Sequence, residues 1–158
     1  MINLQHNQAK LSVDTDPQGD LLHFLRETCT DPSVRFGCGS GHCGACTVLI
    51  DGQALNACTT PVWSSDGKKI QTAMGLTDDA VGKIVLAAFI EEQAAQCGYC
   101  ISGILMRITG LLKQTPGADE AQIKDSLSRH LCRCGAHVRI LRAVLLAQKN
   151  LQHAHTLP

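Results

Sequence analysis

The chain is poor in aromatic residues: three Phe, one Tyr and one Trp make up 3% of its 158 positions. Proteins that grip single-stranded nucleic acid use aromatic stacking platforms, and these scattered rings do not supply one. An excess of charge is also missing. Fourteen basic residues balance fourteen acidic ones, the net charge is +0, and no basic run occurs, so a nucleic-acid partner is not expected. Long apolar stretches are absent too. The longest, Ile84 to Ile90, falls far short of the ~20 residues that a membrane-spanning helix needs, and direct membrane insertion is not expected. The first residues, Met1 to Gln8, lack a basic segment followed by an apolar one, so no secretory signal is expected. No nucleophile stands beside a general base, and no nucleotide loop or open metal site is evident. No substrate site is expected on this chain.

What is abundant is cysteine. Nine occur, and eight fall into two quartets. The first is Phe36-Gly37-Cys38-Gly39-Ser40-Gly41-His42-Cys43-Gly44-Ala45-Cys46, completed by Cys58. Cys-x4-Cys-x2-Cys followed by a distant Cys is the plant-type spacing for a [2Fe–2S] cluster held by four thiolates. Three ligands in one loop wrap one side of the cluster, and the fourth closes the cage. The interleaved glycines let the loop reach φ > 0 without a Cβ clash and bring backbone N–H groups to the sulfurs. The second quartet is Cys97-Gly98-Tyr99-Cys100 with Cys132-Arg133-Cys134. Without a signal for secretion, metal binding is a better reading of these cysteines than disulfides.

Gly39-Ser40-Gly41-His42-Cys43-Gly44 matches the G-x-G-x-x-G dinucleotide pattern. That pattern should follow a strand and open a helix, whereas here a polar turn precedes it and a strand, Thr47 to Ile50, follows.

Read in order, Ile2 to Leu4 and Lys10 to Val13 form strands around a turn at His6-Asn7-Gln8. Asp20 caps a short helix through Leu21, Leu22, Phe24 and Leu25. Cys29 lies outside both quartets and reads as a buried thiol, and Trp63 reads as packing. Cys46 to Ile50, Asp51-Gly52 and Gln53 to Ala57 make a hairpin that returns Cys58 to the loop. Lys69 to Thr72 is a last strand. After Gly75 the apolar period changes to that of helices. Thr77 or Asp78 caps the first, with Val81, Ile84, Val85, Ala88 and Phe89 on one face. Ile101, Ile104, Leu105, Ile108, Leu111 and Leu112 mark the second. The third carries Ile123, Leu127 and Leu131 behind an Asp119/Gln122 capping box. Val138, Leu141, Val144 and Leu145 mark the fourth. The expected fold is α+β: a small strand-and-helix unit over 1–75, an all-α four-helix bundle over 76–150, and a frayed tail over 151–158. In the tail, His153 and His155 alone do not complete a metal site. The second quartet sits between the paired helices. The N-termini of the bundle's second and fourth helices are expected to face its cluster, where their partial positive charge favours an anion.

Rival readings of the cysteines weaken on inspection. Cys43/Cys46 and Cys97/Cys100 have zinc-type spacing, but the extra Cys38 and the Cys132-x-Cys134 pair do not suit zinc. A thioredoxin-type motif at Cys97-Cys100 lacks its βαβ context, and Thr47 and Ile101 stand where c-type haem attachment needs His.

With both quartets in view, the chain resembles the small iron–sulfur subunit of the xanthine oxidase family of molybdenum hydroxylases. Gly37 to Thr47, Gln96 to Cys100 and Leu131 to Gly135 carry the resemblance, which runs from about Ile2 to Ala147. It implies a plant-ferredoxin-like (β-grasp) domain followed by the helical [2Fe–2S]-binding domain. The cluster on Cys97, Cys100, Cys132 and Cys134 would lie nearest the molybdopterin of a large partner subunit. Gln96 and Cys134 would sit against that cofactor. The cluster on Cys38, Cys43, Cys46 and Cys58 would pass electrons outward. Glu91 to Cys100 and Cys134 to Ala143 look like the branch containing nicotinate dehydrogenase and isoquinoline 1-oxidoreductase. Ala136 and His42 depart from the residues usual there, which bears on the substrate and not on the clusters. The resemblance implies a complex that hydroxylates an N-heteroaromatic ring such as nicotinate, or oxidises an aldehyde, with water as the oxygen source. Electrons would leave to haem c on a cytochrome partner or to FAD on a flavin subunit. Such a complex is cytoplasmic, or is exported folded with its partner. A free ferredoxin-like carrier is the alternative, although free ferredoxins are acidic and this chain is neutral.

Overall fold

The computed structural model describes residues 1–156, with side chains through Ala154. Five strands form one mixed sheet in the order β2-β1-β5-β3-β4. They are β1 (Ile2–His6), β2 (Ala9–Val13), β3 (Thr47–Ile50), β4 (Gln53–Asn56) and β5 (Lys69–Gln71). β1 runs antiparallel to β2, with His6 opposite Ala9, and parallel to β5. β3 is antiparallel to both β4 and β5. The β1–β2 turn places Asn7 at φ 52°, and the β3–β4 turn has Asp51 and Gly52 at φ 49° and 82°. Both positive values mark a primed turn, whose twist suits a two-residue hairpin.

α1 (Leu21–His23) continues as a π-helical turn, Phe24–Thr28. Asp20 is its N-cap, and its carboxylate accepts from the His23 N–H at 2.9 Å. Leu21, Leu22, Phe24 and Leu25 pack with Ile2, Leu4, Val48, Ile50, Val62 and Ile70 into the first core. Trp63 is 54% exposed and takes no part in it, contrary to the packing role expected of it. Its segment is a 3-10 turn that buries Val62 and Ser65 instead.

The helical half comprises α2 (Ala80–Glu91), α3 (Ile101–Gln114), α4 (Glu120–Leu127) and α5 (His137–Thr156). α2 packs on α3 and α5, and α4 packs on α3 and α5. The Asp119 carboxylate and Gln122 amide form the expected capping box on α4. The cap of α2 is Asp79, not Thr77 or Asp78, because Ala73–Asp78 is consumed by a 3-10 turn that delays the helix. The apolar face of α5 also differs from expectation. Ile140, Ala143, Val144, Ala147 and Leu151 are buried, while Val138 is 65% exposed and Leu145 37%. α5 runs on to Thr156, so the tail expected to fray is helical to that point. The side chain of His155 lies outside the described residues.

The two halves share β3, which is buried on both faces. Val48 and Ile50 belong to the first core and Leu49 to the helical one, following the alternation of a strand. The backbone contact behind β3 is close. A Cβ built on Gly103 of α3 would lie 2.1 Å from the Gly44 carbonyl oxygen. Among the described residues no helix is long and apolar enough to cross a membrane.

The first half is also pinned by a buried carboxylate. Asp31 is fully buried and accepts from His6 at 2.9 Å, Thr72 at 2.6 Å, and the Ser33 hydroxyl at 2.6 Å and N–H at 2.9 Å. Burial alone would raise its pKa, but these donors outweigh burial and hold it at about 2. Cys29, nearby, is partly buried, and burial with the Asp31 charge pushes its thiol up to about 11.

Gly103→Ala should lower stability by about 1–3 kcal/mol through overpacking against a rigid carbonyl. Gly117→Ala, where a Cβ meets nothing within 4 Å, should stay within about 0.5 kcal/mol. Thermal denaturation compares the two variants. The depressed pKa of Asp31 means that its contribution is complete above the ordinary carboxylate pKa of about 4. It is lost as pH falls toward about 2, because the unfolded chain takes up the proton first. Asp31→Asn should flatten the stability profile over that interval, read by denaturant titration at each pH.

Candidate metal centres

The first cysteine loop leaves the polar turn at Asp31 and ends where β3 begins. Gly39, Gly41 and Gly44 have φ 67°, 78° and 74°, the left-handed region in which only glycine is unstrained. The loop leads into a strand, so the G-x-G-x-x-G match is a sulfur-wrapping loop and not a phosphate-binding turn. Its N–H groups turn inward onto sulfur. Ser40 and His42 donate to Cys38 Sγ at 3.4 and 3.2 Å, and the Cys38 N–H donates to Cys43 Sγ at 3.3 Å. At Gly37 a Cβ would lie 2.5 Å from Cys43 Sγ. Cys58 arrives on the 3-10 turn Ala57–Thr59 after β4, and its N–H donates to Cys46 Sγ at 3.5 Å. The β3–β4 hairpin thus returns the fourth cysteine beside the third.

These donors set the thiol acidities. The Ser40 N–H, aided by those of His42 and Cys43, holds Cys38 down at about 5. Burial pushes Cys46 up to about 12. A buried thiol that resists ionisation in isolation gives up its proton when a cation takes the proton's place.

The second quartet is built from two loop ends. Cys100 is the N-cap residue of α3. Cys132 and Cys134 precede α5, and the Ala136 N–H donates to Cys132 Sγ at 3.5 Å. The starts of α3 and α5 therefore lie at the sulfurs, as expected of helix ends that favour an anion. The Tyr99 N–H holds the exposed Cys97 below its ordinary pKa. Burial opposes ionisation of Cys132, but N–H groups led by that of Ala136 prevail and lower it. Burial pushes Cys100 up to about 12. Gln96 is exposed and donates its amide to the Cys134 carbonyl oxygen at 3.3 Å.

The sulfurs associate as pairs. Cys46 neighbours Cys58, Cys100 neighbours Cys132, and Cys97 neighbours Cys134. Among the described residues no three His, Cys, Asp or Glu side chains converge as one metal ion would need. Paired thiols with inward N–H groups fit a two-iron core, which takes two ligands per iron, better than a single zinc ion.

The two cysteine-bearing segments meet at a cleft of about 400 Å³, lined by Gly37, Cys43 and Ala45 on one side and by Cys97, Cys100 and Cys132 on the other. Leu131, expected on the apolar face of the third helix, lies beyond α4 and is 63% exposed at this cleft. Its N–H donates to the Cys43 carbonyl at 3.1 Å. Three further residues join the quartets, and cysteine spacing gives no sign of them. Tyr99 donates its hydroxyl to the Phe36 carbonyl at 2.5 Å. His130 is buried behind Gly44, with Nε2 3.1 Å from Thr47 Oγ1. Burial and the nearby Arg107 charge push it down to about 4. The third is Gly103, whose only sequence signal is a glycine inside an apolar helical run.

Two family models match the chain: a 2Fe-2S iron-sulfur cluster binding domain over residues 4–73 and a [2Fe-2S] binding domain over residues 72–145. One of the subunits of nicotinate dehydrogenase from Pseudomonas putida is 46% identical, over 90% of this chain and 91% of that protein. The alpha chain of isoquinoline 1-oxidoreductase from Brevundimonas diminuta is 42% identical, over 94% and 98%. Among solved structures, quinoline 2-oxidoreductase from Pseudomonas putida 86 matches with a TM-score of 0.87 at 27% identity, over 96% of this chain and 95% of that one. Aldehyde oxidoreductase from Desulfovibrio gigas matches with a TM-score of 0.88 at 27% identity, over 98% of this chain but only 18% of its own. Sequence, both domains and the fold agree: the chain belongs to the two-cluster [2Fe–2S] subunits of the xanthine oxidase family of molybdenum hydroxylases.

Proposed function

We propose that Cys38, Cys43, Cys46 and Cys58 ligate one [2Fe–2S] cluster and that Cys97, Cys100, Cys132 and Cys134 ligate the other. The chain then relays electrons from a large molybdopterin-binding subunit to an external acceptor. The observation that carries this reading is the cleft at which Cys43 of the first quartet faces Cys97, Cys100 and Cys132 of the second. When bound, such clusters accept and donate electrons one at a time. The chain supplies the rest. Its loops fix the sulfurs, and its N–H groups offset their charge. The β3–α3 contact holds one quartet at a set distance from the other.

Gln96 and Cys134 are proposed to meet the molybdopterin. Their position, with the exposed Gln96 amide already tied to the Cys134 backbone, supports that role. Large apolar side chains are exposed around the same end, Leu131 at 63% and Val138 at 65%. Contiguous exposed apolar surface marks an interaction site, which favours a lasting subunit contact over a free carrier. The complex is proposed to hydroxylate an N-heteroaromatic compound such as nicotinate, in keeping with the relatives named for nicotinate and isoquinoline. The electron acceptor is proposed to be a c-type cytochrome domain, with a flavin-bearing partner as the alternative.

Purification of the tagged chain from its host should yield about four irons per chain, as two clusters require, together with a large molybdenum protein. Haem without flavin identifies the cytochrome acceptor, and flavin the other. Iron without a molybdenum partner would favour the free carrier, and zinc in place of iron would overturn the assignment. Cys100→Ser should remove one of two paramagnetic iron–sulfur signals and stop turnover with the acceptor. Turnover and reduction of both clusters at the parent level would refute the relay.

A further inference from the structure

Tyr99 occupies a place that ligation alone does not explain. It stands between Cys97 and Cys100 in the second cysteine loop. Its side chain reaches the other way, across the cleft, and donates its hydroxyl to the Phe36 carbonyl at 2.5 Å. Phe36 is two residues ahead of Cys38 in the first cysteine loop. One residue therefore joins both loops: it belongs to the second and is bonded to the backbone of the first. The guanidinium of Arg35 lies over the Tyr99 ring, 5.3 Å from its centroid, within the range of a cation–π contact. Among the described residues Arg35 pairs with no carboxylate, and its buried Nε has no hydrogen-bond partner. A positive charge is thus held over Tyr99, which lines the cleft, without a protein counter-charge among the described residues.

An anion on either side would supply that counter-charge. A [2Fe–2S] core with four thiolates is anionic, and reduction adds one more negative charge. A nearby fixed cation stabilises the reduced form more than the oxidised one, and in a partly desolvated cleft the effect is stronger than in water. The hydroxyl bond is an independent mechanical link. It ties the first loop to the second at a point away from the Gly44–Gly103 and Cys43–Leu131 contacts, so it resists rotation of one loop against the other.

We propose that Tyr99, carrying Arg35 on its ring, is the positioning residue that couples the two clusters: its hydroxyl fixes the spacing of the loops, and the stacked guanidinium raises the reduction potentials across the cleft. The proposal rests on the two-cluster assignment above.

The test is redox titration of the complex purified from its host, followed by electron paramagnetic resonance. Arg35→Gln should weaken reduction of the clusters about tenfold, a negative shift of about 59 mV for a one-electron couple. Arg35→Lys should restore most of it. Tyr99→Phe keeps the ring and the stacked cation but loses the hydroxyl. It should leave the potentials near the parent values and broaden the magnetic splitting between the reduced clusters. Tyr99→Ala should change both. Unmoved potentials in Arg35→Gln, or a splitting in Tyr99→Ala identical to the parent's, would overturn the proposal. An unmodified complex with no iron–sulfur signal would instead overturn the cluster assignment, so the two failures are distinguishable.

Discussion

The contact on which the structure depends is the one between the Gly44 carbonyl and Gly103, where there is no room for a single methyl group. It demands glycine on both sides for different reasons. Gly44 must adopt φ 74° for the cysteine loop to turn, and a Cβ there would also strike the buried ring of His130. Gly103 lets the first turn of α3 press on that loop. Backbone meets backbone, so the two cysteine-bearing segments are joined by their least deformable parts. The seam continues along β3, buried on both faces, and through Gly110, where a Cβ would lie 2.8 Å from Leu49. Two small cores, each modest for its size, are thereby stabilised as one body.

Electrostatics imposes the second constraint. On the proposed reading, eight thiolates in a chain of 158 residues repel one another unless their charge is answered locally. Distant side chains serve poorly because solvent screens them. Backbone N–H groups and helix starts serve well, because they are fixed and need no counter-ion of their own. The first quartet uses the glycine-rich loop for this purpose, and the second uses the starts of α3 and α5. The two domains solve one problem with different secondary structure. This accounts for the contrast between a loop spacing of Cys-x4-Cys-x2-Cys and a spacing of Cys-x2-Cys with Cys-x-Cys.

Local chemistry made much of this legible from sequence. The cysteine spacing, the Asp51-Gly52 hairpin, the Asp20 cap and the Asp119/Gln122 box each depend on residues a few positions apart. Longer periodic patterns mislead where the backbone changes course. Leu131 fits the helical period of α4, yet that helix stops at Leu127 and the next residues form the cysteine loop. Val138 fits the period of α5 but sits at its start, exposed to solvent. Tyr99 and His130 carry no local signal and Gly103 only that of a glycine in an apolar helical run, because their roles exist only once β3 and α3 lie together. A tyrosine between two cysteines looks ordinary until its hydroxyl is found on a carbonyl sixty-three residues away.

Fixing the quartets by backbone contact separates two properties of the complex. The spacing of the redox centres and much of the charge around them belong to this chain. On the proposed reading, the substrate pocket and the acceptor belong to its partners, since the thiols that line the cleft are committed to metal. A module of this kind can serve different catalytic partners without alteration of its interior, and only the exposed rim must match each one. That is consistent with relatives named for nicotinate, isoquinoline, quinoline and aldehydes sharing one fold. On the same reading, specificity for a partner resides at the rim, in Leu131, Val138 and the neighbourhood of Gln96, whereas the relay resides in the seam beneath it.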